Sequence, residues 1–118
     1  MLVESNSQSE TVLTHSLTIE IGPTAATSLV RLSGELDCAS APTLEGHLQR
    51  LLGGNADRVI VDLDDLTFID STGLNALLAA TRRSHGSRDQ LRIIEPVGQV
   101  ARVFRLANLD QVLPILRR

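Results

Sequence analysis

The chain has no tryptophan, no tyrosine and only two phenylalanines among 118 residues. Base-stacking platforms are therefore missing. Basic charge is not in excess either. A formal net charge of −3 argues against a nucleic-acid binder, because phosphate contacts need a concentrated basic surface. A single cysteine, Cys38, rules out an internal disulfide, and no Cys and His residues stand at zinc spacings, so no structural metal is expected. No apolar run approaches the roughly 20 residues needed to cross a bilayer. Met1, Leu2 and Val3 give way at once to Glu4, Ser5 and Asn6, which lacks the basic and apolar regions of a secretory signal. A cytoplasmic protein without a membrane partner is expected.

The length suits one compact domain. Residues 1–14 are polar, without periodicity before Val12 and Leu13, and read as a mobile leader ahead of a single domain at 15–118. From His15 to Ile21 the apolar residues alternate, as in a half-exposed strand. Gly22 and Pro23 open a short turn to a second strand, Ser28 to Leu36, which predicts an antiparallel hairpin. Ser40 and Pro42 mark a helix start before Leu44, Leu48, Leu51 and Leu52, and Gly53 with Gly54 stops it. Val59, Ile60 and Val61 form a short apolar run without alternation, as expected of a central parallel strand covered on both faces. A second helix runs to Gly86, with Leu74, Leu77, Leu78 and Thr81 at helical spacing and small Ala76, Ala79 and Ala80 between them. Leu91 to Glu95 reads as a strand and Val100, Val103, Phe104 and Ala107 as the stripe of a third helix. Asn108 is placed to end that helix, and residues 112–116 form a last strand. The fold class is α/β: a mixed sheet with an N-terminal antiparallel hairpin, parallel central strands and three to four packing helices.

The stretch from Val61 to Leu74 joins the buried strand to a helix, with Asp64 and Asp65 read as lying on a turn. Loops at the carboxyl ends of such strands are where sites are built, because free N–H groups of the following helix point into them. Ser71 stands at that helix entrance. Taken alone, Asp70 or Ser71 could simply cap the helix, with Gly73 easing the turn. As a nucleophile Ser71 fares poorly. His15, His47 and His85 are the available bases, but the Gly-x-Ser-x-Gly elbow and any lysine-bearing phosphate loop are absent. No enzyme is expected. Cys38 reads as packing rather than as a redox trigger, and the paired Arg82 and Arg83 as compensation of a helix dipole.

The run Phe68-Ile69-Asp70-Ser71-Thr72-Gly73-Leu74 resembles the signature of the STAS family, specifically its anti-sigma factor antagonist branch. Gly34-Glu35-Leu36-Asp37 matches a second segment of that family, and the resemblance covers roughly residues 15–116. It implies a STAS domain at 15–118 in which Ser71 receives a phosphate, flanked by Asp37 and Asp70, with Thr72 as a second hydroxyl engaged in local hydrogen bonding. Gly34, Glu35, Gly73 and Leu74 complete the implied switch and partner-binding surface. The implied partners are an anti-sigma factor that is itself a GHKL-type serine kinase and a PP2C-type phosphatase. The chain would hold no cofactor and be monomeric when free. A STAS domain serving as a non-switching scaffold is the alternative.

Overall fold

The computed structural model describes residues 9–22, 26–54, 56–84 and 90–116. Strand β1 (Glu10–Thr14) turns through His15 and Ser16 into β2 (Leu17–Ile21), His15 taking the left-handed φ of 55° that the tight turn requires. Then come β3 (Thr27–Leu36), α1 (Ala41–Leu52), β4 (Arg58–Ile69), α2 (Ser71–Arg83), β5 (Leu91–Ile94), α3 (Gly98–Leu106), a 3₁₀ turn (Leu109–Gln111) and β6 (Ile115–Leu116). The six strands form one sheet in chain order. Pairing is antiparallel from β1 to β3 and parallel from β3 to β6.

The mixed sheet, the hairpin of β2 and β3, and three helices agree with the sequence reading. One boundary does not. Glu10 to Thr14, expected within a mobile leader, pair residue by residue with Ile21 to Leu17. Backbone bonds to β2, with Val12 packed against the core, order this stretch. Residues 1–8 of that expected leader, Pro23, and the helix stop at Gly86 lie outside the described residues.

Leu17, Ile19 and Ile21 of β2, Val30 and Leu32 of β3, Val59, Val61 and Leu63 of β4, and Leu91 and Ile93 of β5 enter one buried cluster. Leu44 and Leu48 of α1, Ala76, Leu77 and Ala80 of α2, and Val100 and Phe104 of α3 join the same cluster. The alternating positions Glu20, Leu29, Arg31, Ile60 and Arg92 are exposed or half-buried. The central strand is thus not covered on both faces as expected. Val59 and Val61 are enclosed, while Ile60 between them keeps contact with solvent.

The larger departure is the length of β4, twelve residues where a short run was expected. Asp64 and Asp65, read as turn residues, lie inside the strand. Asp62 makes this tolerable: it lies 3.6 Å from Arg31 Nε on β3 and accepts the Asp64 N–H at 3.0 Å. Two register shifts let β4 carry extra residues against β3, one between Arg31 and Ser33 and one between Gly34 and Glu35. At the second, Gly34 adopts φ +101°, and a Cβ there would lie 2.2 Å from the Ser16 carbonyl oxygen. Only glycine fits that bulge. Past Asp62, β4 extends beyond its pairing with β5, and α3 packs against this free end. Among the described residues no helix is long and apolar enough to cross a membrane.

Candidate functional site

The site forms where β3 and β4 end side by side. Leu36 and Ile69 are register partners, and the Asp70 N–H donates to the Leu36 carbonyl at 3.2 Å, so each strand delivers an aspartate to the same end of the sheet. Asp70 is extended, with φ −111°, and caps α2: its Oδ1 accepts the Gly73 N–H at 2.9 Å. Its Oδ2 accepts the Cys38 N–H at 3.1 Å. One carboxylate thereby ties the first turn of α2 to the loop between β3 and α1, joining two motifs that lie far apart in sequence.

Asp37 organises that loop. Its Oδ1 accepts from the Ala39 N–H at 3.0 Å and the Ser40 N–H at 3.1 Å, and lies 3.1 Å from Ser40 Oγ. Ser40 begins α1 as expected, but its hydroxyl turns back to within 3.0 Å of the Glu35 carbonyl oxygen and accepts the Asp37 N–H instead of capping the helix. The Ser40 N–H holds the Asp37 carboxyl below the usual carboxylate range. The Ser40 hydroxyl, the Ala39 N–H and the charge of His15 add to this and outweigh desolvation.

With Asp70 as the cap, Ser71 is left over. Ser71 and Thr72 are both exposed, and among the described residues neither hydroxyl makes a hydrogen bond. The local hydrogen bond expected of Thr72 is therefore not formed. Gly73 is buried: a Cβ would lie 2.8 Å from Leu36 Cγ, 2.8 Å from the Leu36 carbonyl oxygen and 2.9 Å from Ile69 Cγ1. Gly73 serves close packing and the half-buried Gly34 a bulge. Glu35 is exposed on β3, and Leu74 is half-buried against the core. Cys38 is exposed, not packed as expected.

The first turn of α2 contains no acidic residue and its last turn carries Arg82 and Arg83. The helix dipole is thus compensated at its C-terminus, while its N-terminus favours added negative charge by about 0.3–1 kcal/mol. The aspartates clustered in sequence before Ser71 are spread out in space. Asp57 precedes β4 by one residue and lies about 40 Å of extended strand from Asp70, and Asp62 is engaged with Arg31. Asp70 and the Asp37 loop are the acidic groups at the α2 entrance. Neither His15, in the hairpin turn, nor His47, whose Nδ1 lies 3.0 Å from Arg50 Nη2, bonds to Ser71. His85 lies outside the described residues. No group of side chains suited to a metal ion occurs among the described residues.

One feature of this end of the molecule was not anticipated. Leu66 and Phe68 share strand parity, which predicts the same face, yet Leu66 is buried and Phe68 exposed, because the bulge between them changes the parity. Phe68 consequently borders an apolar groove against α3.

Residues 19–117 match the family described as Mlab, STAS domain, and the chain belongs to the STAS-domain family. The anti-sigma-B factor antagonist of Staphylococcus aureus is 24% identical over 86 residues, 73% of this chain and 80% of the relative. An anti-sigma factor antagonist from Mycobacterium paratuberculosis superposes with a TM-score of 0.73 at 27% identity, over 85% of each chain. SpoIIAA in its unphosphorylated form gives a TM-score of 0.72 at 20% identity over 85% of this chain and 87% of its own, a likeness of fold.

Proposed function

We propose that this chain is a cytoplasmic anti-sigma factor antagonist, monomeric when free, whose Ser71 is the phosphoacceptor of a partner switch. The observation that carries the reading is the division of labour at the α2 entrance: Asp70 caps the helix and ties it to the Cys38 loop, leaving the Ser71 hydroxyl exposed and unbonded among the described residues. The antagonist relatives support the same reading. A hydroxyl needed for the cap would be a poor switch, since modifying it would unravel the helix.

Phosphorylation would add about −1.5 to −2 charge and three acceptor oxygens at the helix N-terminus. The fold tolerates this, because the dipole favours the charge and the cap is untouched. A partner docked over Ser71 does not. It would have to bury a dianion beside Asp70 and the Asp37 loop, at a cost of several kcal/mol. Each 1.4 kcal/mol is about tenfold in affinity, so modification releases the partner. In this scheme the unmodified protein binds an anti-sigma factor that is a GHKL-type serine kinase, freeing the sigma factor. That kinase phosphorylates Ser71 and lets go, and a PP2C-type phosphatase restores the hydroxyl. ATP and metal ions belong to those partners, and this chain acts by binding.

The family description names Mlab rather than an antagonist, which keeps the non-switching scaffold as the second reading. Wild type, Ser71→Ala and Ser71→Asp used as baits in a lysate of the native cell separate the two. Retention of a GHKL-type kinase by wild type and Ser71→Ala, with loss on Ser71→Asp, is the outcome of the switch. Identical retention by all three baits is the outcome of the scaffold.

A further inference from the structure

From Leu74 to Ala80 every residue of α2 is leucine or alanine, both strong helix formers, except Asn75. Asparagine is a poor choice inside a helix, because its side-chain amide competes for backbone groups. Asn75 is exposed, and among the described residues its side chain makes no hydrogen bond. Neither the helix cap nor the buried cluster uses it.

Its place relative to Ser71 sets Asn75 apart. Residues four apart meet on one helix face, and a helical side chain leans back over the turn before its own Cα. Asn75 therefore leans over the turn that carries Ser71. The groups on the other side of that hydroxyl repel an anion: Asp70 holds the cap, and the Asp37 carboxylate is engaged by the Ala39 and Ser40 N–H groups. Thr72 offers an exposed hydroxyl, but adjacent side chains diverge on a helix. The cations of α2, Arg82 and Arg83, stand about 16–18 Å further along the axis. On the face of α2 that Ser71 shares, the Asn75 amide is thus the donor one turn away. Being neutral, it adds no charge to the unmodified surface.

We propose that Asn75 is a positioning residue of the modified state: its side-chain N–H donates to the phosphate carried by Ser71 and lays it along the exposed face of α2, away from the Asp70 and Asp37 carboxylates. This rests on Ser71 being the phosphoacceptor. The phosphate is then fixed over the first two turns of α2, so the surface that modification closes to a partner is the helix face of Ser71 and Asn75, while the β3–α1 loop keeps its unmodified arrangement.

The test encodes phosphoserine at position 71 of the full chain by codon reassignment, so it depends on no kinase. ¹H–¹⁵N NMR follows the Asn75 side-chain NH₂, and ³¹P NMR follows the second ionisation of the phosphate, ordinarily near about pH 6. Phosphorylation is expected to move the Asn75 NH₂ signals, which then track the phosphate through its titration. A donor to the dianion favours it, so Asn75→Leu, which keeps the size and removes the donor, should raise the ³¹P midpoint by about 0.3–0.7 pH unit, a change of about two- to fivefold in the acidity constant. Position 75 is exposed, and circular dichroism checks that each variant is folded. Unmoved Asn75 signals, equal midpoints for wild type and Asn75→Leu, a midpoint raised by Thr72→Val and not by Asn75→Leu, or a shift at the Arg102 Nε–H in place of Asn75 overturns the assignment. These results show where the phosphate lies, whereas the lysate baits show whether Ser71 governs a partner, so the two fail separately.

Discussion

Asp70→Ala and Ser71→Ala remove neighbouring side chains from the same helix entrance and should differ sharply in their effect on stability. Asp70 supplies the N-cap bond to the Gly73 N–H and a second bond to the Cys38 N–H. Loss of a helix N-cap costs about 0.5–2 kcal/mol. The Cys38 bond is exposed, so water replaces the lost acceptor and adds only about 0.5 kcal/mol. The total for Asp70→Ala is about 1–2.5 kcal/mol. Ser71 makes no side-chain bond among the described residues and sits at the first helical position, where alanine is favoured over serine by a few tenths of a kcal/mol. Ser71→Ala should be neutral or slightly stabilising. With a urea m-value of about 1.5 kcal/mol/M for a domain of this size, the midpoint falls by about 1 M for Asp70→Ala and moves by less than about 0.3 M for Ser71→Ala. Equilibrium urea unfolding followed by far-ultraviolet circular dichroism measures both. A Ser71→Ala midpoint as low as that of Asp70→Ala would refute the division between cap and switch.

Three further outcomes follow from the packing and electrostatics. Gly34→Ala, which meets both a positive φ and the Ser16 carbonyl at 2.2 Å, should destabilise more than Gly73→Ala, whose Cβ meets Leu36 and Ile69 at 2.8–2.9 Å. Gly73→Ala should cost about 1–3 kcal/mol despite better helix propensity, and urea midpoints order the two. Ser28 Oγ is buried without a hydrogen-bond partner among the described residues, so Ser28→Ala should leave thermal stability unchanged or raise it by about 1 kcal/mol. A loss above about 1 kcal/mol would mean that the hydroxyl is satisfied. The Asp37 carboxyl has a lowered pKa, so its contribution is present above the unfolded carboxylate value and lost as pH falls through the folded one. Between about pH 5 and 3 the unfolding midpoint of wild type should fall more steeply than that of Asp37→Asn. Parallel curves would remove Asp37 from the account.

The elements that sequence revealed are those whose burial is local and periodic. Leu17, Ile19 and Ile21, or Leu44, Leu48, Leu51 and Leu52, carry their own geometry, and Asn108 ends α3 with a left-handed φ of 57° as its place suggested. What stayed hidden is owed to partners distant in sequence. Strand β1 is ordered by β2 and has little hydrophobic signal. Asp62, Asp64 and Asp65 are poor strand residues, yet a ladder to β3 and the Arg31 pair keep them in β4. The last strand, expected over 112–116, shrinks to Ile115–Leu116 because the Val112 and Leu113 N–H groups bond back to the Leu109 carbonyl of the 3₁₀ turn and Pro114 has no N–H to give. At the site, the motif pointed to Ser71, Asp70 and Asp37. It did not separate their roles: Gly34 and Gly73 look like surface signature residues but answer to steric limits set by Ser16, Leu36 and Ile69. Phe68 was invisible as a surface residue because a bulge, which leaves no mark on periodicity, reverses its direction.

The central claim is that charge on Ser71 controls partner binding, and it is tested most directly by comparing one purified partner kinase against two forms of this chain, unmodified and phosphorylated at Ser71, by calorimetry. Burial of an uncompensated dianion costs several kcal/mol, so the phosphorylated form should bind at least about a hundredfold more weakly, with its unfolding midpoint unchanged or slightly raised. Equal affinity of the two forms would contradict the account and leave Ser71 an ordinary exposed residue beside a helix cap.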